Sequence, residues 1–514
     1  MKKDSCNVTG FTQARGRDVS GCLLRRILPQ PGRKGRFPLP MTISQWIIAH
    51  FLEIVGYLLA IVLIPRILLE RRHPGATIAW ILAIGLIPFV GVPVYFLIGG
   101  KRIKKISREK ERDICRANRA PACPLDLRLS PDNRRIANLL MQAGRFPPAP
   151  DNRVTILDDG VAAYATLMRL LETAEHSIEV ATFILGRDEV GRSLVEILAR
   201  KAAEGVRVRL LLDAVGCLKT RGDFVRPVRD AGGRVGVFLP IMPLRRPWSA
   251  NLRNHRKMTI IDGRKALIGG MNLAREYMGP DPHPARWKDV NLLMEGSAAG
   301  HVRNVFWEDW VYTTGESIPP GDFFHVPPAG DGPSTVQVVG DGPDIPARPL
   351  YAGILAALNR AGKRIWVVTP YFVPDDPLSA ALQLAARLGC DVRLVMPERS
   401  NHPLVDLAGR SYLPDLLEAG IRFHMYQPGM LHAKMIAIDG RIAVVGTANM
   451  DVRSFQLNFE IATFLYEPED VGQVERAIGA IMADCRELSP REIHRKSRLR
   501  RFSEDICRVF SPLF

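Results

Sequence analysis

One pattern of residues occurs twice in this chain and constrains its fold more than any other feature. The pattern is His-x-Lys-x4-Asp, and its copies lie 177 positions apart, at His255, Lys257 and Asp262 and at His432, Lys434 and Asp439. In both copies a glycine follows the aspartate by seven positions and an asparagine by ten, namely Gly269 with Asn272 and Gly446 with Asn449. Four residue choices repeated in register indicate a duplicated functional unit rather than two strands whose polar residues merely face water.

Each copy is predicted to lie on a β-strand that enters a tight turn. The residues after the histidine, Met258 to Ile261 and Met435 to Ile438, are apolar and partly β-branched, and each run ends in Asp-Gly. Such a run predicts a strand followed by a hairpin turn. Because side chains two apart on a strand share a face, each histidine and its lysine point into one space, whereas the aspartate belongs to the turn. We therefore interpret the histidine as reactive, the lysine as a fixed positive charge for an anionic group, and the aspartate as mainly structural.

Together the two copies supply the groups that an in-line phosphoryl transfer requires. One histidine can attack phosphorus while the other protonates the leaving alkoxide. The two lysines, with Asn272 and Asn449 as neutral donors, can stabilise charge on the equatorial oxygens. This chemistry predicts neither a metal nor a cofactor. We predict His255 as the nucleophile.

The residues around both copies resemble the phospholipase D superfamily, whose duplicated motif this is, and within it the bacterial cardiolipin synthases with two transmembrane helices. The resemblance runs from about Met41 to the C-terminus. At the first copy it covers NLRNHRK (Asn251 to Lys257) and GGMN (Gly269 to Asn272). At the second it covers TPYFVPD (Thr369 to Asp375), LHAK (Leu431 to Lys434), GTANMDVRSF (Gly446 to Phe455) and NFE (Asn458 to Glu460).

This resemblance implies a phosphohistidine intermediate, a pseudo-twofold pocket between two halves, and an acidic residue that orients each histidine. Glu460 and Asp289 match the acidic positions. The chain departs from the superfamily at the residue after the motif glycine, which is often serine there. It is Gly270 in one copy and Thr447 in the other, which calls into question a hydroxyl contribution at the first site.

Two apolar stretches near the N-terminus predict a transmembrane hairpin. Ala76 to Ile98 is 23 residues without a charge, and Ile43 to Ile64 is a second stretch of 22 residues. Both are long enough to cross the hydrocarbon core of a bilayer. The second helix is expected to kink at Pro88, Gly91 and Pro93. The alternative is a hairpin buried within a soluble domain.

Basic residues flank the predicted hairpin. Residues 1–40 and 101–119 carry nine Lys and Arg each, against three in the turn, so the catalytic part is expected on the cytoplasmic side of a bacterial inner membrane. The head, the turn, the segment 101–119 and the tail 491–514 have a joint net charge of +19, which exceeds the +17 of the whole chain. The remainder, with both motifs, is about neutral. This distribution favours membrane lipid headgroups over nucleic acid as the partner.

The expected fold class is α/β, with two pseudo-twofold-related lobes whose mixed sheets are sandwiched by helices and whose histidine strands face each other. The predicted segments are a disordered, dispensable basic head (1–40), the transmembrane hairpin (41–100, helices about 43–64 and 76–98), a basic linker (101–150), lobe one (151–325), lobe two (335–488) and a basic amphipathic tail (489–514). The tail either packs as an ordinary helix or lies in the membrane interface with Leu499, Phe502, Ile506, Val509 and Phe510 inward.

The resemblance implies a membrane phosphatidyltransferase that condenses two phosphatidylglycerol molecules into cardiolipin and glycerol. A hydrolase with the same histidines but water as the acceptor, either a phospholipase D or a membrane-tethered nuclease, is the alternative. The motifs cannot separate these activities, since both use the same histidine chemistry. The predicted hairpin favours the transferase, because lateral supply of lipid helps a lipid acceptor to compete with water. The sequence leaves the oligomeric state open.

Overall fold

A computed structural model of the protein describes residues 43–69, 74–95, 129–144, 146–240, 251–316, 331–494 and 496–510. The described residues up to Val92 belong to one compact unit and those from Pro93 onward to another. The predicted head 1–40 lies outside the described residues, so its dispensability stays a prediction.

The N-terminal unit is helical, with bounds that differ from the prediction. Its helices are Ile43–Leu69, Pro74–Leu86 and Pro88–Val94. The first is longer than expected, and the second stretch is not one kinked helix but two short ones, because Pro88 interrupts it. At Gly91 the backbone approaches Ala83 so closely that an added Cβ would lie 2.2 Å from the Ala83 carbonyl oxygen. None of the helices within the described ranges combines the length and apolar character that crossing a bilayer requires.

The second unit is built on one large mixed sheet. Its strands and those of a small separate ribbon are β1 (Ala149–Leu157), β2 (Ser177–Thr182), β3 (Arg207–Asp213), β4 (Arg234–Phe238), β5 (Arg253–Asn254), β6 (Met258–Ile261), β7 (Lys265–Gly269), β8 (Asn291–Glu295), β9 (Ser334–Asp341), β10 (Arg364–Val368), β11 (Phe372–Val373), β12 (Asp391–Pro397), β13 (Arg422–Tyr426), β14 (Met435–Ile438), β15 (Ile442–Gly446), β16 (Met450–Asp451), β17 (Asn458–Leu465) and β18 (Cys485–Glu487).

The sheet repeats one topology twice. Its order is β18, β13, β12, β10, β14, β15, β17, β9, β1, β8, β7, β6, β2, β3, β4, with β5 added on β17, while β11 and β16 form the ribbon. From β4 to β1 and from β13 to β9 the sequence of parallel and antiparallel pairings is the same. The halves join where β1 pairs antiparallel with β9, as at Ala149 and Val336. The mixed α/β fold is as predicted, but the two lobes share one continuous sheet.

Helices cover both faces of this sheet. They are Pro131–Gly144, Gly160–Glu172, Glu189–Ala203, Arg226–Asp230, Ser297–Thr314, Pro349–Leu358, Asp376–Arg387, Pro403–Arg410, Leu413–Glu418, Val452–Gln456, Pro468–Ala483, Pro490–His494 and Arg498–Phe510. One core cluster draws residues from both halves and contains Trp307 and Trp310 of the helix Ser297–Thr314. A second apolar cluster lies in the first half, and a third lies in the second half. The shared cluster ties the halves together through buried apolar area.

The end of the predicted linker 101–150 is structured instead. Its helix Pro131–Gly144 buries Ile136, Ala137 and Leu140 in the core of the second half, where they join Leu350 of the helix Pro349–Leu358. The apolar period of this helix, rather than its basic neighbours in sequence, determines where it packs.

Both motif strands end in the predicted hairpin turn. Asp262 and Gly263 have φ of 51° and 66°, and Asp439 and Gly440 have φ of 55° and 68°. Two successive residues in the left-handed region are typical of a type I′ hairpin turn, in which glycine and aspartate are tolerated.

The turn aspartates also bind a neighbouring stretch of backbone. The Asp262 carboxylate accepts hydrogen bonds from the amides of Glu175, His176 and Ser177 at 3.1, 2.7 and 2.7 Å. Asp439 accepts three in the same way from the amides of residues 362–364, each at 2.8 Å. Each aspartate therefore fixes its hairpin to the start of the adjacent strand.

Replacing Asp262 by Asn keeps the side chain's shape but removes one acceptor oxygen and the charge. We expect Asp262→Asn to lower the free energy of unfolding by about 1–3 kcal/mol, because backbone amides lose a charge-assisted partner. Thermal or denaturant unfolding measures this, with Asp281→Asn, an exposed aspartate, as the control. Unchanged stability together with lost turnover would mean that Asp262 takes part in the chemistry.

Candidate active site

Each motif histidine is held by the backbone of the opposite half. Strand β5, directly before His255, pairs parallel with the start of β17, and the His255 amide donates to the Phe459 carbonyl at 2.9 Å. In the other direction, the His432 amide donates to the Lys288 carbonyl at 2.7 Å, and the Lys288 amide donates to the Met430 carbonyl at 2.9 Å. The halves thus exchange the segments that carry their histidines.

The same exchange pairs each histidine with a carboxylate from the other half. Nδ1 of His255 lies 3.0 and 3.1 Å from the two carboxylate oxygens of Glu460. Nδ1 of His432 lies 2.6 Å from Oδ2 of Asp289. All four residues are buried. A carboxylate at Nδ1 fixes the ring orientation and leaves Nε2 for the chemistry.

The two pairs differ in what supports the carboxylate. The Thr447 hydroxyl donates to Oε2 of Glu460, and Nδ2 of Asn458 donates to Oε1 at 3.1 Å. Asp289 has no such hydroxyl, because its neighbour at the matching position is Gly270, where an added Cβ would lie 2.1 Å from Oδ1 of Asp289. Of the two positions after the motif glycines, only Thr447 therefore places a hydroxyl beside an orienting carboxylate. It comes from the second copy but serves the histidine of the first.

Burial and neighbouring charges shift the pKa values of the four groups differently. Burial raises the pKa of Asp289 to about 7, which Lys434 offsets only in part. Burial acts in the same direction on Glu460, but the charge and hydrogen bond of His255 outweigh it and lower the pKa of Glu460. Burial lowers the pKa of His255, and burial with the charge of Lys434 lowers that of His432 well below the ordinary value. Glu460 is therefore the carboxylate that stays ionised at neutral pH.

The lysines lie beside the histidines, as the spacing predicts, but they are not fixed charges. Nζ of Lys257 donates to the His255 carbonyl at 2.8 Å, and Nζ of Lys434 lies 2.8 Å from Nδ1 of His432. Burial lowers the pKa of Lys257 to about 7 and that of Lys434 to about 8, since an ammonium loses its water on burial. In the absence of an anion, both lysines titrate near neutral pH.

The motif asparagines are both buried near the site, and both amides have protein partners. Oδ1 of Asn272 accepts from the Ile184 amide at 3.0 Å. Nδ2 of Asn449 donates to Oδ2 of Asp451 at 3.2 Å, while its Oδ1 is buried without a hydrogen-bond partner in the described structure. Because an amide NH2 has two N–H groups, the bond to Asp451 leaves one N–H of Asn449 for an anion, and the role of both asparagines as neutral donors stays a prediction.

Aromatic rings line the site, and spacing arguments missed most of them. The Phe183 ring lies 5.2 Å from that of His255, and the rings of Tyr277, Trp287 and Tyr371 lie 5.2, 5.5 and 6.5 Å from that of His432. Only Tyr371 stood in a segment noted in the sequence, TPYFVPD. The rings shield the site from water on several sides.

Arg256, which lies between the motif histidine and lysine, is another site residue that the motif spacing did not reveal. It is buried, and its guanidinium donates to Asp309 at 2.7 Å, to the Asp341 carbonyl at 2.9 Å and to the Glu460 carbonyl at 3.0 Å. Arg256 thereby fixes the first motif against strands β9 and β17 of the second half. A buried arginine with all these partners is a structural anchor for the catalytic pair.

A cavity of about 790 Å³ opens beside the first histidine segment. Neither motif histidine lines it, but its wall includes Ile184, which adjoins Phe183 and is bound by Asn272. Four cationic side chains, Arg187, Arg192, Lys219 and Arg275, line it together with the acidic Asp188, Glu189 and Glu276. No cluster of metal-ligating side chains occurs in the described part of the chain.

Comparison with known proteins shows what this chain is similar to. Residues 167–310 and 354–482 match the family described as cardiolipin synthase, PLD-like domain, and residues 58–100 match phospholipase D-nuclease N-terminal. The chain is 36% identical over 459 residues to a cardiolipin synthase of Geobacillus thermodenitrificans and 35% identical over 455 residues to one of Geobacillus kaustophilus, each alignment covering 87% of this chain and 90% of the relative. A phosphatidylserine synthase from Haemophilus influenzae superposes with a TM-score of 0.58 at 14% identity, covering 74% of this chain and all of that one, which supports the fold alone.

Anion binding at this site should weaken as pH rises. Sulfate, which stays dianionic, should bind well below pH 7 and progressively less above pH 8, because Lys257 and Lys434 lose their charges in that range. Calorimetric titration measures the affinity, with Lys257→Met expected to remove much of the pH dependence and the surface variant Lys265→Met expected to keep it. A flat pH profile in the unsubstituted protein would contradict the lysine assignment.

Proposed function

Because the chain belongs to the cardiolipin synthase family of phospholipase D-like proteins, it is a phosphatidyltransferase, and we propose that it condenses two phosphatidylglycerol molecules into cardiolipin and glycerol. The observation that supports this chemistry most directly is the reciprocal arrangement of two buried histidine–carboxylate pairs, His255 with Glu460 and His432 with Asp289. Two neighbouring imidazoles, each oriented by a carboxylate at Nδ1, are what a two-step transfer of a phosphatidyl group needs.

In the first step, Nε2 of His255 attacks the phosphorus of one phosphatidylglycerol. The new P–N bond forms as the bond between phosphorus and the headgroup glycerol oxygen breaks. The His432–Asp289 pair gives up the proton that it holds, because Nε2–H of His432 protonates that oxygen while Nδ1 takes the proton of Asp289, and glycerol leaves. The phosphatidyl group then remains on His255 as a phosphohistidine.

In the second step, a headgroup hydroxyl of another phosphatidylglycerol attacks the same phosphorus. Nε2 of His432 takes the hydroxyl proton while the P–N bond breaks, and the proton on Nδ1 returns to Asp289. The products are cardiolipin and free His255, and the His432–Asp289 pair again holds one proton for the next cycle. One imidazole thus acts as nucleophile, and the other acts as acid and then as base.

The difference between the two pairs supports His255 as the nucleophile. Phosphorylation of Nε2 places positive charge on the imidazole, and Glu460, with its lowered pKa and its donor Thr447, offers a stable negative charge beside it. His432 has to gain and lose a proton instead. Asp289, whose pKa is raised to about 7, suits a pair that holds one proton between two groups.

The lysines and asparagines stabilise the phosphate in this proposal. An incoming phosphodiester replaces lost hydration around Lys257 and Lys434 and raises their pKa values, so that they are charged when substrate is bound. The second N–H of Asn449 Nδ2 then donates to an equatorial oxygen. Asp262 and Asp439 act by holding the hairpins. The cationic cavity beside Phe183 is a fitting place for the phosphate of the second lipid.

Hydrolysis by the same histidines, with water as the acceptor, is the less favoured activity. The family and the named relatives are cardiolipin synthases. The aromatic rings around His432 also limit access of water to the intermediate.

The proposed lipid substrates require contact with a bilayer, and we assign that contact first to the N-terminal unit. Many of its large apolar side chains are exposed, including Phe51, Ile61, Val62, Leu86 and Phe89. An exposed apolar surface of this kind is typical of a membrane or protein contact. The proposal is that the unit forms a two-span hairpin in the bacterial inner membrane, with the catalytic unit on the cytoplasmic side.

Turnover should depend on both histidines as one unit. His255→Ala and His432→Ala should each abolish cardiolipin formation from labelled phosphatidylglycerol, and the double variant should be no worse, because the two act in the same steps. Exposed His176→Ala is the control. Rapid denaturation followed by peptide mass spectrometry should find the phosphatidyl label on His255. Label on His432 alone would reverse the assignment, and phosphatidic acid as the main product would show a hydrolase.

The proposed mechanism uses no metal ion. A chelator should therefore leave the rate of cardiolipin formation unchanged in protein freed of divalent ions. The measurement is the initial rate with and without chelator at constant ionic strength. Loss of the rate, with recovery on adding one particular divalent ion, would contradict this mechanism.

A further inference from the structure

The helix Arg498–Phe510 packs on the catalytic unit by its polar side. It lies against the helix Pro403–Arg410. On the packed side Glu504 is buried, and it accepts a hydrogen bond from Nζ of Lys496 at 2.8 Å. The Arg508 guanidinium lies 4.5 Å from the centre of the Tyr412 ring. Ion pairing and a cation–π contact hold this helix in place.

The apolar side of the same helix faces outward. Leu499, Phe502, Ile506 and Val509 recur at the spacing of one helix face, and they are exposed by 75, 62, 42 and 74% respectively. We refer to these four residues as the outward stripe. A surface helix of a soluble protein normally buries such a face and exposes its charges. The sequence left open an ordinary packed helix or an interfacial one, and the observed helix packs while keeping this stripe exposed.

Arg498 borders the outward stripe, one turn before Phe502, and it is exposed. Arg500 and Arg501 are exposed further round the same helix, where Arg500 lies 3.4 Å from Oε1 of Glu504. A short helix with an apolar stripe and flanking arginines is typical of proteins that lie in the headgroup region of an anionic bilayer. Arginine near such a surface is attracted to the phosphates of anionic lipids. The charge next to the stripe therefore favours a lipid surface as its occupant.

Contacts connect this helix to the catalytic site. The helix Pro403–Arg410, on which it packs, follows Asn401 and His402 directly. The Tyr371 hydroxyl donates to the Asn401 side chain, and the Tyr371 ring lies 5.4 Å from that of His402 and 6.5 Å from that of His432. The helix that carries the outward stripe is thus linked to the second histidine through the helix Pro403–Arg410, His402 and Tyr371.

We propose that the outward stripe inserts among the acyl chains of an anionic phospholipid bilayer and holds the catalytic unit against the membrane that supplies its substrates. This contact is separate from the N-terminal unit. It rests on the proposed function in that the substrates are lipids. It fixes the orientation of the site relative to the bilayer, so that a phosphatidyl headgroup reaches His432 without leaving the membrane.

The first test identifies what the stripe touches. A photo-crosslinking amino acid replaces Phe502 in the full-length protein, reconstituted in vesicles of phosphatidylglycerol and phosphatidylcholine. Irradiation should give lipid adducts detected as a mass increase of the peptide that contains position 502. The same amino acid at Cys507, which is half-buried and lies one turn after the packed Glu504, should give few adducts. Crosslinks between two copies of the chain, or no adduct, would overturn the proposal.

The second test measures the effect on turnover. Phe502→Glu combined with Ile506→Glu should raise the apparent KM for phosphatidylglycerol in vesicles by about tenfold or more, because two charges oppose insertion. Turnover of a short-chain phosphatidylglycerol dissolved as monomers should stay unchanged, which shows that the variant folds. Leu388→Glu, at a leucine as exposed as Leu499, is the matched control. It should change neither the apparent KM with vesicles nor the turnover of the short-chain lipid.

Equal loss with both substrates, or no change with vesicles, would overturn the proposal. The two tests also separate this inference from the proposed function. Lipid adducts at position 502 in a protein that makes no cardiolipin would leave the membrane contact standing and reject the transferase activity. Cardiolipin formation without lipid adducts at position 502 would support the transferase activity and reject the membrane contact of the outward stripe.

Discussion

Two buried carboxylate–imidazole contacts, each formed between opposite halves of the chain, set the conditions that the rest of the fold has to meet. Glu460 and Asp289 each meet a histidine of the opposite half, so both carboxylates gain their partners only when the two halves are docked in this arrangement. The exchanged histidine segments, the junction of β1 with β9 and the apolar cluster around Trp307 all hold the halves in the one arrangement that satisfies both contacts. The continuous sheet therefore keeps the two halves in the position that the site requires.

Burial also determines the chemistry. The same loss of water that raises the pKa of Asp289 lowers those of Lys257 and Lys434, so the empty site carries less charge than its residues suggest. In the proposed mechanism, an incoming phosphodiester restores those charges when it binds. The rings around His432 would restrict water there, which matters for a transferase because the phosphorylated intermediate has to wait for a lipid hydroxyl. Under this proposal, catalytic strength and choice of acceptor both depend on how little water enters the pocket.

The sequence predicts the motif regions well because their determinants are local. Apolar runs that end in Asp-Gly specify the hairpins at Asp262 and Asp439, and the spacing places each lysine near its histidine. What the sequence could not provide depends on contacts between distant segments. Which carboxylate orients which histidine follows from pairing residues 205 and 143 positions apart, and the lysine pKa values follow from burial. The helix Pro131–Gly144 was misjudged for the same reason, since its place in the second half is decided by packing.

The single chain also affects how the site can diverge over evolutionary time. If two identical half-length chains assembled in the same exchanged way, every substitution beside a carboxylate would appear at both histidines at once. Here the matching positions are Gly270 and Thr447, and the orienting acids are Asp289 and Glu460. Fusion lets selection act on each position separately, so that one imidazole can specialise in holding a covalent intermediate while the other specialises in moving protons.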